Sequence, residues 1–201
     1  HEEGPGQNEI DFRYSDALVA ADNAMTFQRV VKTVANRNGM FADFSPKPIE
    51  NAPGNGFHIN MSLKPFESTE DFYRMIAGIL ENVRDMTAFL NPTENSYLRL
   101  GKSKAPRYIS WSAENRSQLV RIPAAVGEYR RAELRSPDPT ANPYLAFALM
   151  TYAGLHGIQN KLNLPESANI NFYKADPKTL LSYEKLPESL DEACKIAASS
   201  D

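Results

Sequence analysis

Charged and apolar residues alternate from Arg131 to Arg135, and this stretch strongly constrains the fold. Side chains of a β-strand point to opposite faces in turn, so Arg131, Glu133 and Arg135 are predicted to share one face. Ala132 and Leu134 then face a core. Residues 136–144, which contain three prolines, predict that the strand stops and a helix begins. A strand face of Arg, Glu and Arg suits phosphate, carboxylate or a metal ion.

Hydrophobic periodicity predicts helices and short strands on both sides of this segment. Helices are predicted at 15–38, 68–91, 143–162 and 188–198, and strands at 9–14, 41–44, 54–63, 107–111, 118–122 and 129–135. Ser68 with Asp71 resembles a capping box, and the nearly apolar 143–162 helix is predicted to be deeply buried. Strands and helices near one another in sequence predict an α+β fold, with an antiparallel sheet flanked by helices.

Composition narrows the class of protein. The chain has 201 residues, 42% of them hydrophobic, which is enough for one sizeable core. A net charge of −3 without a basic block argues against a nucleic-acid or membrane-surface partner. The single Cys194 excludes an internal disulfide and fits a reducing compartment.

Two groups of residues are candidate metal ligands. Glu2 and Glu9 flank a Gly-Pro-Gly-Gln turn, and paired carboxylates suit a hard cation; solvated loop acids are the alternative. His58 lies on the polar side of an apolar strand, behind Gly54 and Gly56. It is read either as a ligand or as a structural hydrogen-bonding group.

The arginines are candidate anion-binding residues. An Arg fork matches carboxylate and phosphate oxygens, which makes Arg99, Arg116 and Arg121 candidates beside the 131–135 strand. Surface salt bridges, or an ion-pair ladder between strands, are the alternatives for these side chains. So many arginines around one carboxylate favour a negatively charged ligand.

Several segments together resemble the catalytic domain of the glutamine synthetase family, the bacterial-type glutamate–ammonia ligases. They occur in the family's order at residues 2–11, 54–60, 91–100, 111–117, 121–123 and 133–147. The resemblance covers essentially the whole chain and implies a partial catalytic domain of the glutamine synthetase/guanido kinase-like fold over residues 1–201. It further implies that the family's N-terminal β-grasp domain and the start of the catalytic domain are not in these residues.

The resemblance also implies a role for each candidate. Glu2 and Glu9 match ligands of a first divalent ion, and His58 and Glu133 match ligands of a second. Contacts to substrate glutamate are implied for Gly54, Arg99 and Arg135. ATP contacts are implied for Asn60, Ser62, Arg116 and Arg121, and catalysis at the transferred phosphate for Arg131 and Arg116.

Some positions depart from the family pattern. Lys104 stands in the loop before Ala105-Pro106 where the family usually has a Glu that helps to deprotonate ammonium. Asn60 replaces a second His that many members carry. Tyr173 falls where some bacterial members carry an adenylylated tyrosine, although its flanking residues favour an ordinary aromatic anchor.

The resemblance implies an enzyme with a defined set of ligands. The activity is ATP-dependent ligation of ammonia to the γ-carboxylate of L-glutamate through γ-glutamyl phosphate, with two or more Mg²⁺ or Mn²⁺ ions. It also implies a cytoplasmic, ring-forming homo-oligomer such as a dodecamer. We expect residues 1–201 alone to be inactive. Lys104 keeps a γ-glutamyl–amine ligase open as an alternative, and a catalytically dead binding protein is a second.

Overall fold

The computed structural model describes residues 1–64, 68–113, 115–125 and 127–200. Its helices are α1 (Ala17–Arg37), α2 (Thr69–Leu90), α3 (Glu94–Arg99), α4 (Pro143–Gln159), α5 (Pro177–Leu180) and α6 (Leu190–Ser199). Its strands are β1 (Ile59–Met61), β2 (Trp111–Ser112), β3 (Val120–Arg121) and β4 (Ala132–Leu134). The predicted α+β class is therefore confirmed.

The strands form one sheet in the order β1-β4-β3-β2. β4 pairs antiparallel with both β1 and β3, while β2 and β3 run parallel, so the sheet is mixed rather than purely antiparallel. Between β2 and β3, the Ser117 hydroxyl accepts a hydrogen bond from the Phe172 amide (3.1 Å). A tight hairpin cannot join two parallel strands, so the connection from β2 to β3 is not one.

The sheet register separates a core row from a polar row. Ile59, Leu134 and Val120 lie opposite one another and are all buried. One residue along, Glu133 lies opposite Asn60 on β1 and Arg121 on β3. Because directly paired residues of a sheet share a face, this register alone brings polar residues from three strands together.

The helix α2 forms the main wall of the core. It begins where the Ser68 hydroxyl accepts a hydrogen bond from the Asp71 amide (3.1 Å), which confirms the predicted cap. It crosses α4 at two glycines. A Cβ on Gly78 would lie 2.1 Å from the Ala153 carbonyl oxygen, and one on Gly157 would lie 2.1 Å from the Arg74 carbonyl oxygen. The backbones touch at this crossing, and no side chain fits between them.

The predicted deep burial of α4 is wrong for one of its faces. Ala146, Met150 and Ala153 are buried, but Tyr152 is 74% exposed and Leu155 is 45% exposed. Apolar composition all round a helix does not say how many faces are covered, because that depends on which elements pack against it.

Two predicted strands do not form, and the others are shorter than predicted. Residues 9–14 and 41–44 are irregular, and within the described chain neither pairs with another strand. Their aromatics pack on α1 instead, since Phe27 contacts Phe12 and Phe44 edge-on at 5.2 and 6.1 Å. Alternation predicts a strand only where a partner supplies hydrogen bonds.

Two short helices were missed. The helix α3 begins at a Thr93–Ser96 capping box and carries Arg99 in its last turn. The Thr-x-x-Ser spacing was a usable signal for it. The helix α5 is a single turn behind Asp176 and Pro177.

No helix in the part of the chain that the structure describes is both long enough and apolar enough to cross a membrane.

Candidate active site

Glu133 is the centre of a cluster at the polar row of the sheet. Its Oε1 lies 2.7 Å from Arg135 Nη1 and 3.2 Å from His58 Nδ1, and its Oε2 lies 3.4 Å from Arg121 Nη1. The side chains of Glu133 and Arg135 are 10% and 7% exposed. The strand therefore places one nearly buried carboxylate among two guanidinium groups and an imidazole.

The cluster shifts the protonation of its members. Burial raises the pKa of Glu133, but the hydrogen bond with His58 and the positive charge of Arg135 and Arg121 outweigh it and lower that pKa to about 2. Burial lowers the pKa of His58, and nearby Arg135 and Arg99 act in the same direction against Glu133. At neutral pH the site therefore holds a carboxylate and an uncharged imidazole, the two forms that bind metal ions.

Glu2 and Glu9 form the facing, acidic side of the site. Partial burial, a hydrogen bond with Glu2 and the negative charges of Glu2, Asp11 and Glu133 raise the pKa of Glu9. Crowded carboxylates of this kind attract a cation. Among the described residues no group of three His, Cys, Asp or Glu side chains converges closely enough to hold a metal ion by itself.

Gln7 attaches this acidic side to residues 54–56, the glycine segment. Its Nε2 donates to the Gly54 carbonyl (3.0 Å) and to Asn55 Oδ1 (2.8 Å), and its Oε1 accepts from the Gly4 amide (3.1 Å). Our reading of the sequence assigned Gln7 no role. A side-chain amide can donate and accept hydrogen bonds at once, so a glutamine inside a Gly-rich turn was a usable signal of such a link.

Arg99 lies behind the cluster and braces it. Its Nη1 donates to the Ser136 carbonyl (2.7 Å) and its Nη2 to the Arg135 carbonyl (3.2 Å), and it is only 3% exposed. Burial lowers its pKa to about 10, with Asp138 opposing that shift. Arg99 thus supports the end of β4 as well as facing the glycine segment.

Two glycines let the backbone lie directly against Arg99 and His58. A Cβ on Gly54 would lie 2.4 Å from the Pro46 carbonyl oxygen and 3.0 Å from Arg99 Cγ. A Cβ on Gly56 would lie 2.8 Å from both Arg99 Nη2 and His58 Nε2. The backbone approaches the arginine and the imidazole more closely than any side chain would allow.

Asp138 is a buried group that the sequence reading also missed. It is fully buried, its Oδ2 accepts from Asn91 Nδ2 (2.9 Å), and its charge favours the charged form of Arg99. Asn91 donates in addition to the Ser136 carbonyl (2.9 Å). The Pro-Asp-Pro turn therefore supplies the counter-charge for the buried arginine.

The remaining candidates lie at the edge of the cluster. Arg131 is exposed, and its Nε donates to Asn60 Oδ1 across β1 and β4 (3.2 Å). Ser62 and Arg116 are exposed, and neither makes a hydrogen bond or ion pair with Glu133 within the described structure. The structure thus brings Glu133, His58, Arg135 and Arg121 together, with Arg99 behind and Glu2 and Glu9 in front.

Two buried donors in the cluster lack an acceptor. The Nε atoms of Arg121 and Arg135 are buried without a hydrogen-bond partner among the described residues. Such groups are rare because leaving them unpaired is unfavourable. Together with Glu133 and His58 they make this a site of mixed charge, with unpaired donors, at the polar face of an α+β sheet.

Comparison with known proteins places this chain in a family. A family model described as glutamine synthetase, catalytic domain, matches residues 1–201. Similar curated proteins include glutamine synthetase of Methanosarcina mazei, 46% identical over 208 residues, and of Staphylococcus aureus, 45% identical over 210 residues. The chain belongs to the glutamine synthetase family.

Solved structures agree with this assignment. A structure described as a GmaS/ADP complex is 32% identical with a TM-score of 0.82, over 94% of this chain and 47% of that one. An apo GmaS without ligand is 34% identical with a TM-score of 0.80, over 94% of this chain and 46% of that one. The curated alignments cover 96% and 97% of this chain and 46% and 47% of the relatives, so the chain spans about half their length.

Proposed function

We propose that the whole protein to which this chain belongs joins ammonia to the γ-carboxylate of L-glutamate at the expense of ATP. Family membership supports the reaction class. The observation that carries the proposal is the Glu133 carboxylate held among His58, Arg135 and Arg121, with two unpaired arginine donors beside it.

The reaction needs two anions to meet. In the first step a γ-carboxylate oxygen of glutamate attacks the γ-phosphorus of ATP, an O–P bond forms, and the bond to ADP breaks. In the second step ammonia attacks the acyl carbon, phosphate leaves with the C–O bond pair, and the nitrogen loses a proton. Arginine side chains offset the repulsion of the first step without taking part in bond exchange.

Each cluster residue has a task in this scheme. We assign Arg135, with its unpaired Nε, to a carboxylate of glutamate, and Arg99 to holding the backbone of Arg135 and Ser136 in place. Gly54 lies beside that carboxylate. Arg131 is assigned to the transferred phosphoryl group.

ATP is assigned to the exposed edge of the polar row. Asn60, Ser62 and Arg116 are exposed, and the half-buried Arg121 carries an Nε without a partner among the described residues. These donors suit the phosphates of a nucleotide.

The donor set fits Mg²⁺ or Mn²⁺. Glu2 and Glu9 would hold one ion and His58 with Glu133 another, because hard cations prefer carboxylate oxygens and accept an uncharged imidazole. Burial first, and then the neighbouring Glu2, raises the pKa of Glu9, and a cation would relieve the repulsion between the two carboxylates. When bound, the ions supply positive charge to the phosphates and to the acyl oxygen.

The test uses the full-length protein with ATP, glutamate and hydroxylamine in place of ammonia. Hydroxylamine converts an acyl phosphate to a hydroxamate, which is measured by its colour with ferric iron. We expect glutamate-dependent hydroxamate and ADP, and a loss of about 100-fold or more in Glu133→Gln but not in Glu81→Gln, an exposed acid on α2. ADP release that does not depend on glutamate, with no hydroxamate, would refute the proposal.

A γ-glutamyl–amine ligase is the second candidate, and Lys104 favours it. Lys104 stands where the resemblance implies an acid that helps to deprotonate ammonium, and a charged lysine cannot accept that proton. Rates with ammonium chloride and with methylamine, compared at equal concentrations of free base, separate the two reactions. Clearly faster turnover with methylamine would select the amine ligase.

A binding protein without turnover is the third candidate. The intact set of Glu2, Glu9, His58 and Glu133 argues against it. Calorimetric titration of the full-length protein with Mn²⁺-ATP tests it, because tight binding without any product in the hydroxamate assay would select the inactive form.

We also propose a cytoplasmic, ring-forming homo-oligomer such as a dodecamer. Exposed apolar side chains support association, since Leu18 and Val30 on α1 are 68% and 52% exposed. Light scattering on the full-length protein measures its mass directly. A monomer at working concentration would exclude the ring.

A further inference from the structure

Residues 101–105 form a strained loop that two backbone hydrogen bonds close into a ring, called the 101–105 ring below. Gly101, Ser103 and Lys104 have φ angles of 80°, 41° and 70°. The Gly101 amide donates to the Ala105 carbonyl (3.1 Å) and the Ala105 amide to the Lys102 carbonyl (2.9 Å), which closes the ring. Left-handed φ angles are unfavourable for serine and lysine, so surrounding contacts must hold this conformation.

Two contacts from distant parts of the chain hold the loop. Lys104 Nζ lies 2.6 Å from Glu3 Oε1, and the Tyr173 hydroxyl donates to the Ala105 carbonyl at 3.1 Å. A like charge acts against them. Burial, and then the positive charge of nearby Lys102, lowers the pKa of the buried Lys47. The loop is therefore attracted on two sides and repelled on another.

The two contacts join the two halves of the site. Glu3 directly follows Glu2, which belongs to the acidic side. On the other side, Tyr173 lies within electrostatic range of Arg99 and Arg135. The ring thus connects the segment that carries the carboxylate pair to the arginines around Glu133.

We propose that Lys104 and Tyr173 are positioning residues which, through this loop, set Glu2 at its working distance from the arginine side of the site. The role rests on the proposed function, because it assigns Glu2 to a metal ion and Arg135 to glutamate. An exposed ion pair ordinarily contributes little to stability. Here its effect is on geometry, since Lys104 is the link between the strained ring and the acidic segment.

The proposal also accounts for the lysine at this position. Lys104 is committed to Glu3, so its charge acts on the protein and not on an incoming acceptor. A methionine would fill similar volume but lose the attraction, and the repulsion between Lys102 and Lys47 would then act unopposed on that side. An arginine would keep the pair.

The test measures metal binding and loop mobility in the full-length protein, and then kinetics. Mn²⁺ affinity is measured without substrates from the electron paramagnetic resonance signal of the free ion. We expect Lys104→Met to weaken Mn²⁺ binding about 10-fold, as expected for groups that orient a metal ligand, and Lys104→Arg to restore it. Lys195→Met, which removes a surface pair with Asp191, is the matched control and should leave binding unchanged.

Hydrogen exchange gives a second readout that needs no turnover. The amides of Gly101 and Ala105 are hydrogen-bonded within the ring. We expect faster exchange there in Lys104→Met and in Tyr173→Phe, and faster exchange still in the double variant. In steady-state kinetics, Lys104→Met and Tyr173→Phe should each raise the KM for glutamate by a larger factor than they lower kcat.

The outcomes separate this proposal from the proposed function. Unchanged Mn²⁺ affinity and unchanged exchange in Lys104→Met would overturn the positioning role even in an active enzyme. Weakened Mn²⁺ binding with faster exchange in a protein that forms no glutamyl product would support the link between loop and metal ligand while the ligase assignment fails. A charge swap, Glu3→Lys with Lys104→Glu, should recover Mn²⁺ affinity, and its failure alongside failure of Lys104→Arg would also overturn the proposal.

Discussion

Replacing Glu133 with glutamine tests whether the central carboxylate stabilises the fold as well as serving the chemistry. The side chain keeps its shape but loses the charge that Arg135 and Arg121 face. The nearly buried Arg135 and the half-buried Arg121 then lose their counter-charge, so we expect Glu133→Gln to be destabilised in metal-free buffer.

The structure sets the size of this effect. A pKa lowered from 4.5 to about 2 corresponds to about 3 kcal/mol of stability at neutral pH. Removing one partner of a buried ion pair typically costs about 3–5 kcal/mol, which agrees. For a unit of roughly 200 residues this lowers the melting temperature by about 6–12 °C.

The pH dependence follows from the direction of the shift. The folded-state pKa of Glu133 is depressed, so its contribution is complete above the unfolded value of 4.5 and is lost as pH falls toward about 2. The difference between wild type and Glu133→Gln should therefore be the same at pH 7 and pH 6 as far as Glu133 itself is concerned. It should shrink below pH 4.5.

The assay is thermal unfolding in EDTA, followed by circular dichroism at several pH values. The matched control is Glu81→Gln, whose partner His156 and whose own carboxylate are both about half exposed. That variant should melt within about 2–4 °C of wild type, since exposed pairs contribute about 1 kcal/mol or less. A Glu133→Gln protein as stable as wild type at pH 7 would refute the reasoning.

Three further substitutions test the packing and the open space around the site. Gly78→Ala should destabilise the protein by about 2 kcal/mol or more, because its Cβ would clash with the backbone of α4 at the Gly157 crossing. Alanine gains only about 1 kcal/mol in helix propensity, so a rise in melting temperature would contradict the close approach. Gly56→Ala should raise the KM for glutamate by about 10-fold, since its Cβ would displace the Arg99 guanidinium and the His58 ring, and an unchanged KM would count against the assignment. Asp138→Asn should lower stability by about 3 kcal/mol in thermal melts by removing the counter-charge of Arg99, whereas a neutral effect would show that the arginine finds compensation elsewhere.

The site residues on β4 could be predicted because the strand period is local information. Alternation alone predicts that Arg131, Glu133 and Arg135 share one face. The register agrees, because Leu134 pairs with apolar residues of both neighbouring strands and Glu133 pairs with polar ones. The cap at Ser68 was predictable for the same reason. A serine three residues before an acidic residue, here Asp71, is a local signal of a helix N-terminus.

The network that supports the site was not predictable in this way. Gln7 reaches Gly54 across 47 residues, and Asn91 reaches Asp138 across another 47. A short stretch of sequence does not indicate which polar residue will be buried or which group it will contact. Burial depends on how helices and sheet come together, and that in turn decides which hydrogen bonds must form.

The sequence by itself determined the residue types of the site, the phase of β4, the caps and bounds of the main helices, and the resemblance to a family. Only the tertiary structure decided that Glu133 lies between Asn60 and Arg121, that residues 9–14 have no strand partner in the described chain, and that Lys104 binds Glu3. The physical reason is range. Propensity and periodicity act over a few residues, whereas strand register, burial and ion pairing are set by contacts between segments that lie as far as 101 residues apart for Lys104 and Glu3 and 122 for Tyr144 and Asp22.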